Sequence, residues 1–482
     1  MITKRNLPEL FVLILILLFI LLKLSALQLP YFWDELGVYA RAGLYMHDNG
    51  MGLMPKDLPP ELSRGHPLLF SFIQAIGYSV FGDTVVGGHA TALTISVVLL
   101  CSLYFITAKH YSKYTGLLAV MLLITQPLFF AQSVLILPEI CLALFMIWSI
   151  HFWVVKKYLL HGIFAALAIL IKETAIIIPF VIVFSELALY VAADKKIRKN
   201  KFDPRFLFAG FSLVVFAAFL LIQKEQNGWY LFPLHGDNIA FDWDRIWLFG
   251  RDYTTFLFIE QGRIIMSLAM CFLYVYVRRS PHIKTNRMSV FLILLICGGL
   301  SFNAINFYMN RYILFVLLPF VILFSALMIQ VYTKFRFAIL ALPVLFVASV
   351  YCMNGRELIP NANSGSNLQQ KFTYDENMGY VPYILLQQEA MNWVLDKTKP
   401  ADIIYSNFPV SVALQDTRFG FTDKVLNKDF RERNANNFSE GFRFAVISDP
   451  GSYDYHLPAT DSIDLVKIIK NEVSKVNIYT SR

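Results

Sequence analysis

Asp34 and Glu35 stand side by side just after one apolar run, and Arg64 and His66 follow in the next polar stretch. Glu139 opens another apolar run, Lys172 and Glu173 sit between two more, and Asn310 and Arg311 precede a further one. Carboxylates beside cations suit group transfer from a phosphate leaving group. A carboxylate takes the proton of the attacking hydroxyl while positive charge stabilises the departing phosphate. A charge at mid-membrane costs about 2.5 to 3.5 kcal/mol on insertion scales, so charges kept at the ends of apolar runs border a wet cavity or the interface. These residues act together only if their runs turn the same end toward one another.

The chain has the composition for such runs. It is 57% hydrophobic and 16% charged over 482 residues, with a mean hydropathy of +0.54. That is too apolar for a soluble enzyme and leaves too little charge to coat a globule of this size. Leu7 to Leu29 is an almost unbroken apolar stretch preceded by Lys4 and Arg5, long enough to cross roughly 30 Å of hydrocarbon. It ends in Leu-Pro-Tyr-Phe-Trp rather than a small-residue cleavage site, so it reads as a retained first span.

Further spans read as Val85–Ala108, Gly116–Phe130, Val134–Val155, Leu159–Ile171, Ala175–Ala192, Phe206–Ile222, Tyr253–Val277, Ser289–Asn306, Tyr312–Tyr332 and Phe337–Cys352. The expected fold is thus an α-helical polytopic membrane protein of about eleven transmembrane helices. With Lys4 and Arg5 inside, alternate connections should be basic. The expected inner ones carry Lys109/Lys113, Lys156/Lys157, Lys195/Lys196/Arg198/Lys199, Arg278/Arg279/Lys284/Arg287 and Lys334/Arg336. The same parity puts every polar residue of the opening paragraph outside, together with the tail. His66–Phe81 is apolar but short, and treating it as a span would invert every later loop, so it reads as an interfacial helix. The implied location is the plasma (inner) membrane with a cytoplasmic N-terminus.

The expected division is a membrane domain over 1–352, whose first outer loop 30–84 carries interfacial helices, and a small extracytoplasmic α/β domain over 353–482. In the latter, Tyr383–Lys397 and Ser462–Lys475 have helical spacing, while Asp402–Phe408, Phe442–Ser448 and Val476–Thr480 read as short strands. The net charge of +8 does not point to nucleic acid, because the basic residues gather between apolar runs. Four of the five cysteines, Cys101, Cys141, Cys271 and Cys297, fall inside apolar runs, and Cys352 lies near a helix end. Neither a disulfide framework nor a metal spacing is present. No cofactor is firmly implied, although carboxylates with phosphates are compatible with a divalent cation.

Each polar residue has a bland reading beside the chemical one. Asp34 is a candidate base or a helix N-cap. Glu35 orients Asp34, holds an acceptor or faces solvent. His66, before Pro67, binds a ligand with Arg64 or merely marks a junction. Lys172 and Arg311 contact phosphate or snorkel to the interface. Glu139, at the start of its span, serves the cavity or complements a helix dipole. His235 lies in an aromatic loop, 223–250, whose rings suit an interfacial belt or a lid over a sugar.

The order of motifs resembles the GT-C superfamily of membrane glycosyltransferases. The motifs are Tyr-Phe-Trp-Asp-Glu-Leu-Gly-Val-Tyr at 31–39, Arg-Gly-His-Pro-Leu-Leu-Phe at 64–70, Phe-Gly-Asp at 81–83, Leu-Pro-Glu at 137–139, Ile-Lys-Glu-Thr at 171–174 and Asn-Arg-Tyr at 310–312. They are most similar to the branch of the protein O-mannosyltransferases and the lipid A aminoarabinose transferases. The resemblance implies a polyprenyl-phosphate sugar donor, a glycan, lipid or protein acceptor hydroxyl, and inversion in one displacement. It implies Asp34 as base with Glu35 beside it, and Lys172, Arg311, His66, Arg64 and His89 toward the donor phosphate. Glu139, Glu173, Tyr39 and His235 would line the acceptor side or cavity. His89 replaces an arginine common after the Phe-Gly turn, and Glu139 replaces an aspartate. A transporter or flippase of lipid-linked glycans, or a non-catalytic binder, are the competing classes; paired repeats with broken mid-membrane helices would favour transport.

Overall fold

A computed structural model of the chain describes residues 6–192, 205–233, 242–278, 286–306, 309–332, 341–356, 358, 374–399, 402, 404–423, 443–449, 463–471 and 474–481. Among these, six helices are long and apolar enough to cross a membrane: Leu7–Gln28, Val85–His110, Glu173–Val191, Arg205–Asn227, Arg287–Ala304 and Asn310–Tyr332. Five shorter apolar helices accompany them: Leu69–Phe81, Lys113–Ile124, Pro138–Val154, Tyr158–Ile171 and Ala341–Cys352. The chain is mostly helical and has the build of a multi-pass membrane protein. Of the inner basic loops expected from the sequence, 195–199, 279–284 and 334–336 lie outside the described residues.

Asn310–Tyr332 runs through the middle of the bundle, with 83% of its apolar 18-residue window buried, whereas the shares for Leu7–Gln28 and Arg205–Asn227 are 28% and 22%, and these two present apolar side chains outward. That contrast is what a lipid-facing periphery around a packed core requires. The helix Leu69–Phe81 has 13 residues, about 20 Å at 1.5 Å per residue, which is short of the hydrocarbon thickness.

The expected continuous span over 253–277 is instead two helices, Trp243–Phe258 and Arg263–Val275, bent by 81°. The break falls on Glu260-Gln261-Gly262-Arg263, where Gln261 and Gly262 take φ of 52° and 78°. Arg263 Nε then donates to the carbonyls of Phe256 and Leu257 at 3.0 Å each, satisfying the end of the helix it follows.

Polar side chains also hold the bundle at the end opposite the Asp34 cluster. His110 and His151 approach within 2.9 Å, and Glu186 accepts from Trp153 Nε1 at 2.7 Å and from Arg205 at 3.3 Å and pairs with Arg287. At the Asp34 end, Lys23, fully buried, lies 3.5 Å over the Phe130 ring and 3.8 Å from Met378 Sδ.

In the tail, helix Tyr380–Leu395 packs against a four-stranded sheet of order β1-β2-β4-β3, with β1 Ile404–Ser406, β2 Phe444–Asp449, β3 Ile463–Lys470 and β4 Lys475–Ser481. β1 and β2 are parallel, and the other neighbours are antiparallel. The helix expected over 462–475 is therefore strand β3. Its apolar residues pair along β4 with a register shift between Leu465 and Lys467, and cross-strand packing overrides a helical spacing that short.

Candidate active site

The site is built on a turn the sequence could not have made without outside support. Trp33 adopts φ of 40°, a region strained for a bulky residue, and leads into a π-turn over Glu35–Tyr39. The support comes from the tail. Phe32 packs on Tyr380 and Tyr383 with ring centres 5.2 and 6.0 Å apart, and Trp33 meets Phe408 edge-on at 5.2 Å. Tyr31 N donates to the Phe419 carbonyl at 3.1 Å. Gly420, at φ 83°, sits where a Cβ would lie 2.6 Å from Val85 Cγ2, so only glycine lets this segment close on the turn.

The turn aims Asp34 at Arg311, with which it forms a direct ion pair. Arg311 stands in the short helix Asn310–Ile313 that opens the central helix. Its Nη1 donates to Asp375 Oδ2 at 2.8 Å, and its Nε lies 3.5 Å from Glu139 Oε1. Glu139 begins helix Pro138–Val154, and its Oε1 also accepts from Lys172 Nζ at 2.9 Å. Lys172 ends the antiparallel neighbour Tyr158–Ile171 and lies 3.7 Å over the Tyr312 ring. Helices that start and stop at one level thus bring Asp34, Glu139, Lys172 and Arg311 into contact. Lys172 and Arg311 are buried and paired, so neither snorkels. Asp34 occupies an N-cap position but makes no side-chain cap bond, which leaves its carboxylate committed to the cluster.

Burial pushes the Asp34 carboxyl up, but the Arg311 guanidinium outweighs it and holds the group below the usual carboxylate range. Burial likewise disfavours charge on Lys172, yet Glu139 overcomes it and keeps the ammonium protonated well above its ordinary range. On Asp375 burial wins over Arg311, and its proton affinity is raised. The Tyr39 phenol is held protonated by burial.

At the rim, His66 Nδ1 meets both Glu173 oxygens at 3.0 Å. Arg64 is exposed, with φ of 46°, and its charge acts on Asp34. Tyr39, Ser63, His66, Phe70, Pro138 and Ile171 line part of a cleft of about 320 Å³, a volume that includes open solvent. Its lining residues Pro138 and Ile171 directly precede Glu139 and Lys172 in the chain.

Glu35 and His89 are not part of this set. Glu35 is fully buried, and its oxygens accept from Phe32 N at 2.9 Å and Ile136 N at 2.6 Å. His89 Nε2 lies 3.1 Å from the same carboxylate and Nδ1 3.2 Å from the Leu27 carbonyl. Both residues, expected toward base and phosphate, clamp the turn to helix Val85–His110 instead, because the π-turn points neighbouring side chains in different directions. His235 lies outside the described residues.

Sequence reasoning missed Asp375, which lies in a polar tail where a carboxylate raises no signal. It also missed Arg418, which joins Asp416 at 2.8 Å, Asp48 at 2.9 Å and Asp83 at 3.4 Å, although Asp83 belongs to the Phe-Gly-Asp turn noted in the sequence. His47, Asp48 and Asp83 have ligand atoms within 4.8 Å of one another, but the Arg418 guanidinium already pairs with both carboxylates.

Residues 65–222 match the family model of dolichyl-phosphate-mannose-protein mannosyltransferases. No curated protein matches the chain. Among solved structures, ArnT from Cupriavidus metallidurans bound to undecaprenyl phosphate superposes with a TM-score of 0.63 at 13% identity, over 99% of this chain and 98% of that one. Its apo state gives 0.58 at 13% identity, over 96% and 97%. The Archaeoglobus fulgidus oligosaccharyltransferase tethered with an acceptor peptide gives 0.50 at 12% identity, over 92% and 69%. At these identities the likeness is one of fold. With the motifs between 31 and 312 and the family match over 65–222, it shows a chain of GT-C fold that resembles the protein O-mannosyltransferase and lipid A aminoarabinose transferase branch of that superfamily.

Proposed function

We propose that the chain transfers a sugar from a polyprenyl-phosphate-linked donor to an acceptor hydroxyl on the extracytoplasmic face, by one inverting displacement. The observation that carries this reading is the buried Asp34–Arg311 pair, with Lys172 and Glu139 beside it. The solved neighbour that holds undecaprenyl phosphate supports a lipid phosphate as the partner class.

In this mechanism the acceptor oxygen attacks the anomeric carbon, and its proton passes to an Asp34 oxygen. The bond from that carbon to the phosphate oxygen breaks, and the charge left on the phosphate is met by Arg311 and Lys172. Arg311 serves two partners in sequence. While it holds Asp34 the carboxylate is a weak base, and as the guanidinium turns to phosphate Asp34 regains basicity. Glu139 fixes Lys172. His66 with Glu173, Arg64 and Tyr39 form the rim where donor or acceptor polar groups dock.

The same reading assigns about eleven spans, a cytoplasmic N-terminus, a membrane domain over 1–352 and an extracytoplasmic α/β domain over 353–482, in the plasma (inner) membrane. Charge alternation along the sequence supports it. The 81° break after Phe258 is the one feature that favours transport of a lipid-linked glycan instead. Purified protein offered a panel of polyprenyl-phosphate sugars decides between them. Acceptor-dependent release of free polyprenyl phosphate, with an inverted anomer in the product, supports transfer. Movement of intact donor across vesicles without release overturns it.

A further inference from the structure

The charge count around Arg311 does not leave room for a donor. Among the described residues, Arg311 and Lys172 are the cations of the buried cluster, and Asp34, Glu139 and Asp375 are its carboxylates. Side-chain exposure is 4% for Arg311, 5% for Lys172, 2% for Glu139 and 8% for Asp375, and Asp34 reaches only 20%. A phosphodiester entering this set would place four anions around two cations where water screens little. One carboxylate has to give way.

Two of the three are poorly placed to do so. Glu139 is fixed in the first turn of its helix and bonded to Lys172. Asp34 is held by the strained turn and is the group that must face the acceptor. Asp375 meets Arg311 through a single guanidinium nitrogen and stands in the three-residue turn Tyr374–Glu376. That turn is tied down by its other members. Glu376 accepts from Asn310 Nδ2 at 2.6 Å, its carbonyl accepts from Gln261 Nε2 at 3.0 Å, and Met378 N donates to the Met353 carbonyl at 2.8 Å. Those anchors reach the bend between helices Trp243–Phe258 and Arg263–Val275 and the start of the central helix.

Resting on the transfer mechanism above, we propose that Asp375 is a stand-in for the donor phosphate: it occupies Arg311 Nη1 until a lipid phosphate displaces it, so that donor entry loosens the 374–379 segment while its other ties hold. Carboxylate and phosphate oxygens both suit a guanidinium edge, which makes one exchangeable for the other. The high proton affinity that burial gives Asp375 also lowers the cost of moving it off the cation. A positioning role follows, since the tail then senses whether the site is filled.

The test uses full-length protein in nanodiscs and undecaprenyl phosphate without sugar as the probe, with undecaprenol as the control. Asp375→Asn should bind the phosphate about tenfold more tightly than the parent protein, the effect of removing one opposing charge at short range, and undecaprenol equally. Amide hydrogen exchange over 374–379 in the parent protein should become faster on adding the phosphate. Equal or weaker binding by a folded Asp375→Asn protein overturns the proposal. So does unchanged or slower exchange in the parent, a measurement that needs no variant. Equal phosphate binding by the two proteins leaves the donor assignment standing while the stand-in role fails; binding by neither protein overturns both.

Discussion

Asp34 and Glu35 are consecutive, yet their carboxylates serve different networks. Asp34 pairs with Arg311, whereas Glu35 binds two backbone amides and His89. Conservative substitutions should therefore separate chemistry from folding. Asp34→Asn should lower turnover by about a thousandfold, within the range a positioned base contributes, with thermal unfolding near that of the parent. Glu35→Gln should cost about 1 to 3 kcal/mol of stability through a disturbed buried network. Turnover per folded molecule should fall far less. Parallel thermal unfolding and rate measurements check both, and an active Asp34→Asn enzyme would refute the base assignment.

The pH profile carries the sign of the Asp34 shift. A carboxyl held below its ordinary value of 3.8 by Arg311 in the free protein stays ionised through the mildly acidic range, so kcat/KM, which reports the free enzyme, should be flat there and fall only on further acidification. Its contribution to stability is present above the unfolded value and is lost as pH falls through the lower folded value. Asp375, raised by burial, acts oppositely: its contribution is present below the unfolded value and is lost as pH rises through the folded one. In Arg311→Gln the acid limb should move to higher pH, because burial then acts on Asp34 against only the weaker pull of Arg64 and Lys172. Rate measurements at fixed ionic strength read the shift, and an unmoved limb would separate Asp34 from the titration.

The cluster of Asp34, Glu139, Lys172 and Arg311 was legible because charges at the ends of apolar runs stand out against their neighbours, and span parity put them on one side. Glu35 was not resolved, since adjacency says nothing about which way a π-turn points two carboxylates. Asp375 was invisible because its value comes from an arginine 64 positions away. The bend at 260–263 had a signal, four non-aliphatic residues in a row, that an averaged hydropathy reading over 253–277 smoothed away. The spacing over 462–475 fits a helix as well as a strand, and the pairing of β3 with β4 that decides between them is a tertiary fact.

Lys172 and Glu139 form a buried pair, so breaking it from one side differs from removing both partners. Lys172→Met should lower stability by about 3 kcal/mol by leaving buried Glu139 only the longer 3.5 Å contact with Arg311, and Lys172→Met with Glu139→Leu should recover much of that loss. Turnover should stay low in both, because the cation facing the phosphate is gone. Chemical denaturation with activity assays completes the cycle; recovery of turnover with stability would make Lys172 a structural residue only.

Gly420 tests whether the tail positions the Asp34 turn rather than merely covering it. At φ 83° an alanine is strained, and its Cβ would press on Val85 Cγ2 at 2.6 Å and Pro30 Cα at 3.1 Å. The segment must shift, and with it the Phe419 carbonyl that fixes Tyr31 N and the rings packed on Phe32 and Trp33. Gly420→Ala should therefore reduce kcat more than it raises donor KM, since Arg311 and Lys172 stand on other elements and keep their places. Arg418→Ala, which loosens the same segment only through a partly exposed ion-pair set, should have a smaller effect that fades at high salt. Equal losses in the two variants, or a change confined to KM, would show that the contact serves binding or stability and not the placement of Asp34.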